Sequence, residues 1–276
     1  MSLAVANPHP RDAHLQFDEP EHAYHWQGHR VPISVSGVWS KYFPRFDAEA
    51  TIDKYFAQWT ANPKSKYYTL LQYLSLVLNE VDVVTQRQAI ATLWEANRQR
   101  ASSDGTTMHA RIEAHVNGEA SDGTGDGSWT HYLRWRSEWA VGLTPYRTEW
   151  AIYDDRARVA GTIDSVWVDS EGRYVMADWK RCKPSSRGRG LSAADKAFGG
   201  ETGLGPCASL PNTSFWHYCL QQNLYAAILE RCYGVTVHAM YLVQLHPKLP
   251  SYHCVPVPEM RALAHALLDA EAHVRR

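Results

Sequence analysis

The sequence is short of several things, and each shortage removes a class of protein. No apolar run approaches the roughly 18 residues that a membrane-crossing helix needs, although 45% of the 276 residues are hydrophobic. The start, Met1-Ser-Leu-Ala-Val-Ala-Asn-Pro-His-Pro10, has no basic region followed by an apolar one. The expectation is an intracellular protein (cytoplasmic, or nuclear or mitochondrial in a eukaryote), neither secreted nor membrane-bound. Cysteine is sparse: Cys182, Cys207, Cys219, Cys232 and Cys254 are odd in number, widely spaced and never arranged as Cys-x-x-Cys. That spacing supports neither a disulfide framework, nor a zinc ribbon, nor an iron–sulfur cluster. An excess of positive charge is missing too. The formal net charge is −1, so contact with nucleic acid requires a local basic patch rather than a global field.

The length suits one elaborated domain, or a core domain with a helical appendage. Residues 1–20 are polar and proline-containing and read as a flexible N-terminal arm. Residues 21–104 read as a hairpin followed by helices. The hairpin, His22 to Pro32, turns at Gln27-Gly28. Ser34 or Ser36 caps a helix through Val38-Trp39, Asp47 caps another through Trp59, and two more cover about 66–79 and Val83 to Arg100. Gly105-Thr106 opens a further helix, Thr107 to Val116, which Asn117-Gly118 ends. A Gly/Asp/Ser loop over 121–128 precedes a helix from Trp129 to Val141.

From Tyr146 the period changes to strands, at about 147–153, 159–168 and 173–180. After an insertion at 184–213 come a helix from Phe215 to Tyr233 stopped by Gly234, a strand from Val235 to Leu245, and a helix from Glu259 to Val274. This order predicts an α/β fold in residues 105–276, with a mixed central sheet flanked by helices, and an N-terminal helical region before it.

Asp164, in Gly161-Thr-Ile-Asp164, and Asp178, in Asp178-Trp-Lys180, stand on consecutive strands. If those strands pair as a hairpin, two carboxylates and an ammonium group meet at one end of a sheet, where hard divalent cations and phosphates bind. Alternation puts Asp178 and Lys180 on one face and Trp179 on the other. Gly161 inside a strand signals a close approach to its backbone. Asp-x-Lys alone arises by chance about once in a chain of this length, so the weight falls on its context.

His109 and Glu113 are four apart on a helix. They reach one ion together, or they are a half-buried histidine and a surface carboxylate. Glu149 points toward the site or toward water. Gln221 and Tyr225 also share a helix face, and bind a phosphate, brace the lysine, or serve the core. Lys180, Arg181, Lys183, Arg187 and Arg189 crowd one segment, as a phosphate-gripping patch or as a solvated loop. Arg134, Trp135 and Arg136 either grip a single strand by stacking and charge, or are a core tryptophan with arginines outside it.

Taken in order, His109…Glu113, Gly161-Thr-Ile-Asp164, Asp178-Trp-Lys180 and Gln221…Tyr225 resemble the RecB-like exonuclease branch of the PD-(D/E)XK nuclease superfamily, over about residues 105–245. The hairpin leading into Val31-Pro-Ile-Ser-Val-Ser36 is similar to an N-terminal element of some phage, viral and mitochondrial members. The resemblance implies a restriction-endonuclease-like core, Mg²⁺ or Mn²⁺ as cofactor, and DNA as partner, single-stranded or with a free end. By position it implies Glu113, Asp164, Asp178 and the main-chain carbonyl of Trp179 as metal ligands, with His109 as a further ligand or support. Lys180 takes the place of the catalytic lysine, and Gln221 with Tyr225 that of the closing motif. The cysteine tetrad that holds an iron–sulfur cluster in some relatives is absent. The function expected is a metal-dependent deoxyribonuclease, an exonuclease more than an endonuclease, without strong sequence specificity, in a setting such as DNA repair or recombination. The alternatives are a nucleic-acid-binding subunit with an inactive site, a structure-specific endonuclease, or a ribonuclease.

Overall fold

Buried charge, more than apolar periodicity, orders the start of the chain. The computed structural model describes residues 2–78, 81–119, 125–185 and 188–274. It places α1 (Leu3–Ala6), a 3-10 turn (Pro10–His14) and β1 (Leu15–Asp18) where a flexible arm was expected. Arg147 is only 5% exposed and needs a counter-charge. It finds one in the Asp12 carboxylate at 2.7 Å and also donates to the Asn7 carbonyl at 2.9 Å. The Trp150 indole donates to Asp12 at 3.0 Å, and the Asn7 amide donates to the Tyr146 carbonyl at 2.9 Å. These polar residues look solvent-facing in sequence because their partners lie far along the chain. The expected boundary at residue 20 is absent: residues 1–44 form one unit with 105–276, and Arg45–Asp104 forms another.

β1 continues into β2 (Ala23–Trp26) and β3 (His29–Arg30), an antiparallel three-stranded sheet. Gln27 and Gly28 both have positive φ, 49° and 79°, the signature of the two-residue type I′ hairpin that the sequence suggested. β4 (Ile33–Ser34) leads into α2 (Val35–Ser40), whose first turn is capped by the Ser34 hydroxyl accepting from the Gly37 amide.

The second unit holds α3 (Ala48–Ala61), capped by Asp47, α4 (Lys66–Leu78), and the first part of α5 (Val83–Val116). Its core is Ile52, Tyr67, Leu71 and Ile90, with the Trp94 indole donating to the Tyr67 hydroxyl at 2.8 Å. Two helices, 83–100 and 107–116, were expected where α5 is one. Gly105 costs a helix about 1 kcal/mol without breaking it, and the sequence supplies no proline there. Among the described residues no helix is both long and apolar enough to cross a membrane.

The larger unit continues with the end of α5 and α6 (Gly127–Glu138), capped by Asp126. Then come β5 (Thr144–Asp154), β6 (Val159–Val168), β7 (Tyr174–Lys180), α7 (Ser214–Ile228), β8 (Val237–Gln244), β9 (His253–Pro256) and α8 (Arg261–Val274). The sheet runs β4-β6-β7-β8-β9, with β5 also on β6. β6 with β7 is antiparallel and β7 with β8 parallel, so the sheet is mixed and the fold α/β, as expected.

One sheet face buries Trp150, Ile163 and Met176 against α2, α7 and α8, through residues such as Val38, Leu224 and Leu267. The other buries Trp167, Val175 and Trp179 against α6 and the end of α5. Trp135 belongs to this second cluster. It is fully buried, stacked on Trp139 and edge-on to Trp179 at 4.9 Å, so it packs the core and offers no surface to a base. The described part of the 184–213 insertion is pinned rather than loose. Leu191 N–H donates to the Gln244 side-chain oxygen at 2.8 Å, and Leu204 N–H to the Tyr42 carbonyl at 2.7 Å.

Candidate active site

The pairing of β5 with β6 decides the site. Thr148 lies opposite Ser165 and Trp150 opposite Ile163, so Glu149 and Asp164 face each other across the two strands. Glu149 has φ 41°, in the left-handed region that a non-glycine residue occupies at a cost of about 1–3 kcal/mol. Such strain collects where a side chain has to be aimed. Trp150 and Ile163 hold the opposite face of these strands in the core, which leaves Glu149 and Asp164 on the face that α5 crosses.

From α5, His109 reaches both carboxylates. Its Nδ1 is 3.5 Å from Glu149 Oε1 and 3.7 Å from Asp164 Oδ2, and its Nε2 is 3.0 Å from the Trp179 carbonyl oxygen. One ligand atom from each of His109, Glu149 and Asp164 falls within 4.8 Å of the others. Asp164 Oδ2 also accepts from the Trp179 amide at 2.8 Å, which ties β6 to the end of β7. Burial by itself would lower the His109 imidazole. The charge of Asp164 and the contact with Glu149 outweigh it and raise the ring to about 9. A proton on His109 therefore supplies the positive charge that the two carboxylates demand.

Asp178 and Lys180 share a face, as alternation required, and they bond directly: Lys180 Nζ is 2.6 Å from Asp178 Oδ2. Asp178 Oδ1 accepts from the Gln222 amide at 2.8 Å. The Lys180 ammonium lies 4.5 Å from the centre of the Tyr218 ring. Burial pushes the Asp178 carboxyl up, against the pull of the Lys180 charge. Burial works to lower Lys180, but the charges of Asp178 and Asp164 prevail and keep it protonated. In this arrangement Lys180 is a cation rather than a base.

Of the expected ligands, the structure brings His109, Asp164 and the Trp179 carbonyl together. It adds Glu149, whose direction the sequence left open; counting back equally from the turn after Asp154 would have set it opposite Asp164. Glu113 is not part of that triad. It lines the same cavity, with its carboxyl pushed up by burial and by the Glu149 charge. Asp178 is likewise outside the triad, because Lys180 and Gln222 occupy its oxygens. Gln221 donates to the Tyr225 hydroxyl at 3.1 Å. Tyr225 is buried, and its ring lies so close to Gly161 that a Cβ there would come within 2.6 Å of it. The close approach signalled by Gly161 is thus the Tyr225 ring.

The proposed nucleic-acid contacts divide as sharply. Arg181 pairs with Asp126 and donates to Ser128, which commits it to the start of α6. Arg134 pairs with Glu138 at 3.2 Å. Arg136 lies over Trp167 and donates to the Ala140 carbonyl at 2.7 Å. Lys183 and Arg189 are exposed and, with Lys196, line a cavity of about 640 Å³ that reaches Thr213 and Ser214 at the start of α7. Arg187 lies outside the described residues. A second cavity, of about 700 Å³, opens onto His109, Glu113 and Glu149, and its outer wall is the β1–β2 hairpin. The chain matches no protein-family model and no curated protein.

Proposed function

We propose that the chain is a Mg²⁺- or Mn²⁺-dependent deoxyribonuclease with a restriction-endonuclease-like core. It would hydrolyse phosphodiester bonds without strong sequence specificity, as an exonuclease on single-stranded DNA or free ends. The observation that carries this reading is the convergence of His109, Glu149 and Asp164 beside the Asp178–Lys180 pair, at one end of the sheet. One imidazole and two carboxylates within 4.8 Å suit a divalent cation of hard to borderline character. The Trp179 carbonyl, already 3.0 Å from His109, is a further neutral donor.

His109, Glu149 and Asp164 would hold the ion, which when bound supplies Lewis-acid polarisation of a phosphodiester and a water of lowered pKa. The chain's own residues do the rest. Lys180, kept protonated by its neighbours, sets a positive charge beside the site, where negative charge develops on the scissile phosphate. Asp178 fixes the ammonium group, Gln222 fixes Asp178, and the Tyr218 face limits where the lysine can swing. Lys183 and Arg189 offer exposed positive charge to the DNA backbone farther along.

One observation favours a second reading, a nucleic-acid-binding protein that does not cut. Asp178, the ligand expected from the family resemblance, is closed off by Lys180 and Gln222.

Labelled single-stranded DNA, duplex DNA and RNA, each incubated with Mg²⁺, Mn²⁺ or EDTA, separate the two readings. The expected result is metal-dependent cutting of DNA, with Asp164→Asn and Glu149→Gln each slowing it by about 10²–10³-fold and leaving the melting temperature within a few degrees. Binding without cutting under all metal conditions would favour the second reading. Full activity in Asp164→Asn would remove the site assignment. Circular and end-blocked DNA resisting digestion would mark the exonuclease.

A further inference from the structure

The cavity beside His109 is larger than a metal site requires. At about 700 Å³ it falls within the roughly 300–1,000 Å³ of small-ligand pockets. Its outer wall is aromatic: Phe17 from β1, Tyr24 from β2, and His22 just before it. The Phe17 and Tyr24 rings lie 4.7 Å apart, and Phe17 packs edge-on against His22 at 5.3 Å. The Tyr24 and Thr162 hydroxyls hydrogen-bond at 2.8 Å. Thr162 is two residues before Asp164 on β6, so the aromatic wall is anchored on the same sheet face as the metal cluster. Phe17 is nonetheless 38% exposed.

The charge of the lining narrows what can enter. It includes Glu19, Glu113 and Glu149, with His22 and His109 but neither lysine nor arginine. Away from His109, the carboxylates of Glu19 and Glu113 disfavour a phosphate and tolerate a flat, uncharged ring. Aromatic side chains stack on any nucleobase, and carboxylates accept hydrogen bonds from exocyclic amino groups.

We propose that this cavity receives one unpaired nucleobase next to the phosphodiester held at His109, Glu149 and Asp164, with Phe17 as its stacking face. The inference rests on the nuclease reading and names its substrate class: a strand whose base is free to leave the stack, hence single-stranded or frayed DNA. A base held in a duplex would first have to be unpaired and extruded. The carboxylates favour adenine, cytosine or guanine over thymine in the cavity.

Fluorescence anisotropy with short single-stranded oligodeoxynucleotides, in Ca²⁺, tests it. A single abasic position is walked along the strand against the wild type, Phe17→Ala and Phe17→Trp. At one position the abasic change is expected to weaken wild-type binding by about tenfold, within the range that stacking supplies. Phe17→Ala is expected to weaken binding of the intact strand by a similar factor, and then to lose less than twofold more from the abasic change. Phe17→Trp is expected to bind as the wild type does. If Phe17→Ala disturbs the hairpin, as melting would report, the comparison passes to Phe17→Leu against Phe17→Trp, with weakening expected only for leucine. Equal abasic losses in every variant would overturn the base site and leave the nuclease reading standing. A wild type that neither binds DNA in Ca²⁺ nor cuts it in Mg²⁺ would overturn both.

Discussion

Asp164 and Asp178 lie on adjacent antiparallel strands and end in opposite circumstances. The Asp164 side chain is 12% exposed and faces another carboxylate, with only an imidazole between them. The Asp178 side chain is 2% exposed and charge-paired, with the Lys180 ammonium group beside one oxygen and an amide hydrogen bond on the other. Partnering, rather than residue type, separates their roles. A carboxylate crowded against a second one stores repulsion that a cation relieves, whereas a carboxylate closed by its own lysine is part of the scaffold. The Trp179 amide and carbonyl join the two regions, one bonded to Asp164 and the other to His109.

The largest effect should come from breaking the closed pair. Lys180→Met leaves Asp178 buried without a counter-charge and should cost about 3–5 kcal/mol in urea-induced unfolding. Adding Asp178→Asn should recover part of that loss, since the pair is removed together. Costs that simply add would mean the two side chains are not energetically linked and would break the comparison. Asp164→Asn should instead change stability little in the absence of metal, because the relief of its repulsion with Glu149 offsets the lost attraction to the protonated His109.

The sequence made half of this site legible, and geometry explains which half. Period-two alternation places Asp178 and Lys180 on one face whatever the rest of the fold does, and helical spacing brings His109 near Glu113. The role of Glu149 depends on the register of β5 against β6 and on a backbone excursion at that residue, and neither is written in local periodicity. Trp135 reads equally well as a surface platform or as core until α6 is laid on the sheet. The first twenty residues look like a tail because Asp12 reveals its purpose only when Arg147 is buried beside it. The α/β class and the sheet's mixed pairing followed from element order, which local patterns do carry.

A smaller effect separates two neighbouring glutamines. Helical spacing puts Gln221 and Tyr225 on one face, where the glutamine bonds the tyrosine hydroxyl, yet the glutamine that touches the carboxylate is Gln222. Gln222→Leu strips Asp178 of a buried donor and should cost about 1–3 kcal/mol. Gln221→Leu, at a half-buried position, should cost less than about 1 kcal/mol. Thermal melts of the two variants side by side measure the difference, and equal losses would mean that the amide on Asp178 is dispensable.

The smallest effect contrasts two histidines. His109, among carboxylates, is raised to about 9, while His217, stacked on Trp39 and edge-on to Phe43, is lowered to about 4 by burial. Their contributions to stability run in opposite directions with pH. For His217 the unfolded chain takes up a proton near pH 6.5 that the folded chain refuses until about 4. Its neutral ring is therefore fully compatible with the fold above pH 6.5, and stability falls as pH drops through that window. The loss should be about 1–2 kcal/mol once solvent screening of the partly exposed ring is allowed for. His109 does the reverse, favouring the folded state below pH 6.5 and losing that contribution as pH rises through about 9. His217→Phe should flatten the acid side of the stability profile between pH 6.5 and 4 and leave the alkaline side unchanged. An acid limb as steep as the wild type's in that variant would show that the apolar pocket of α7 is not where the fold resists protonation.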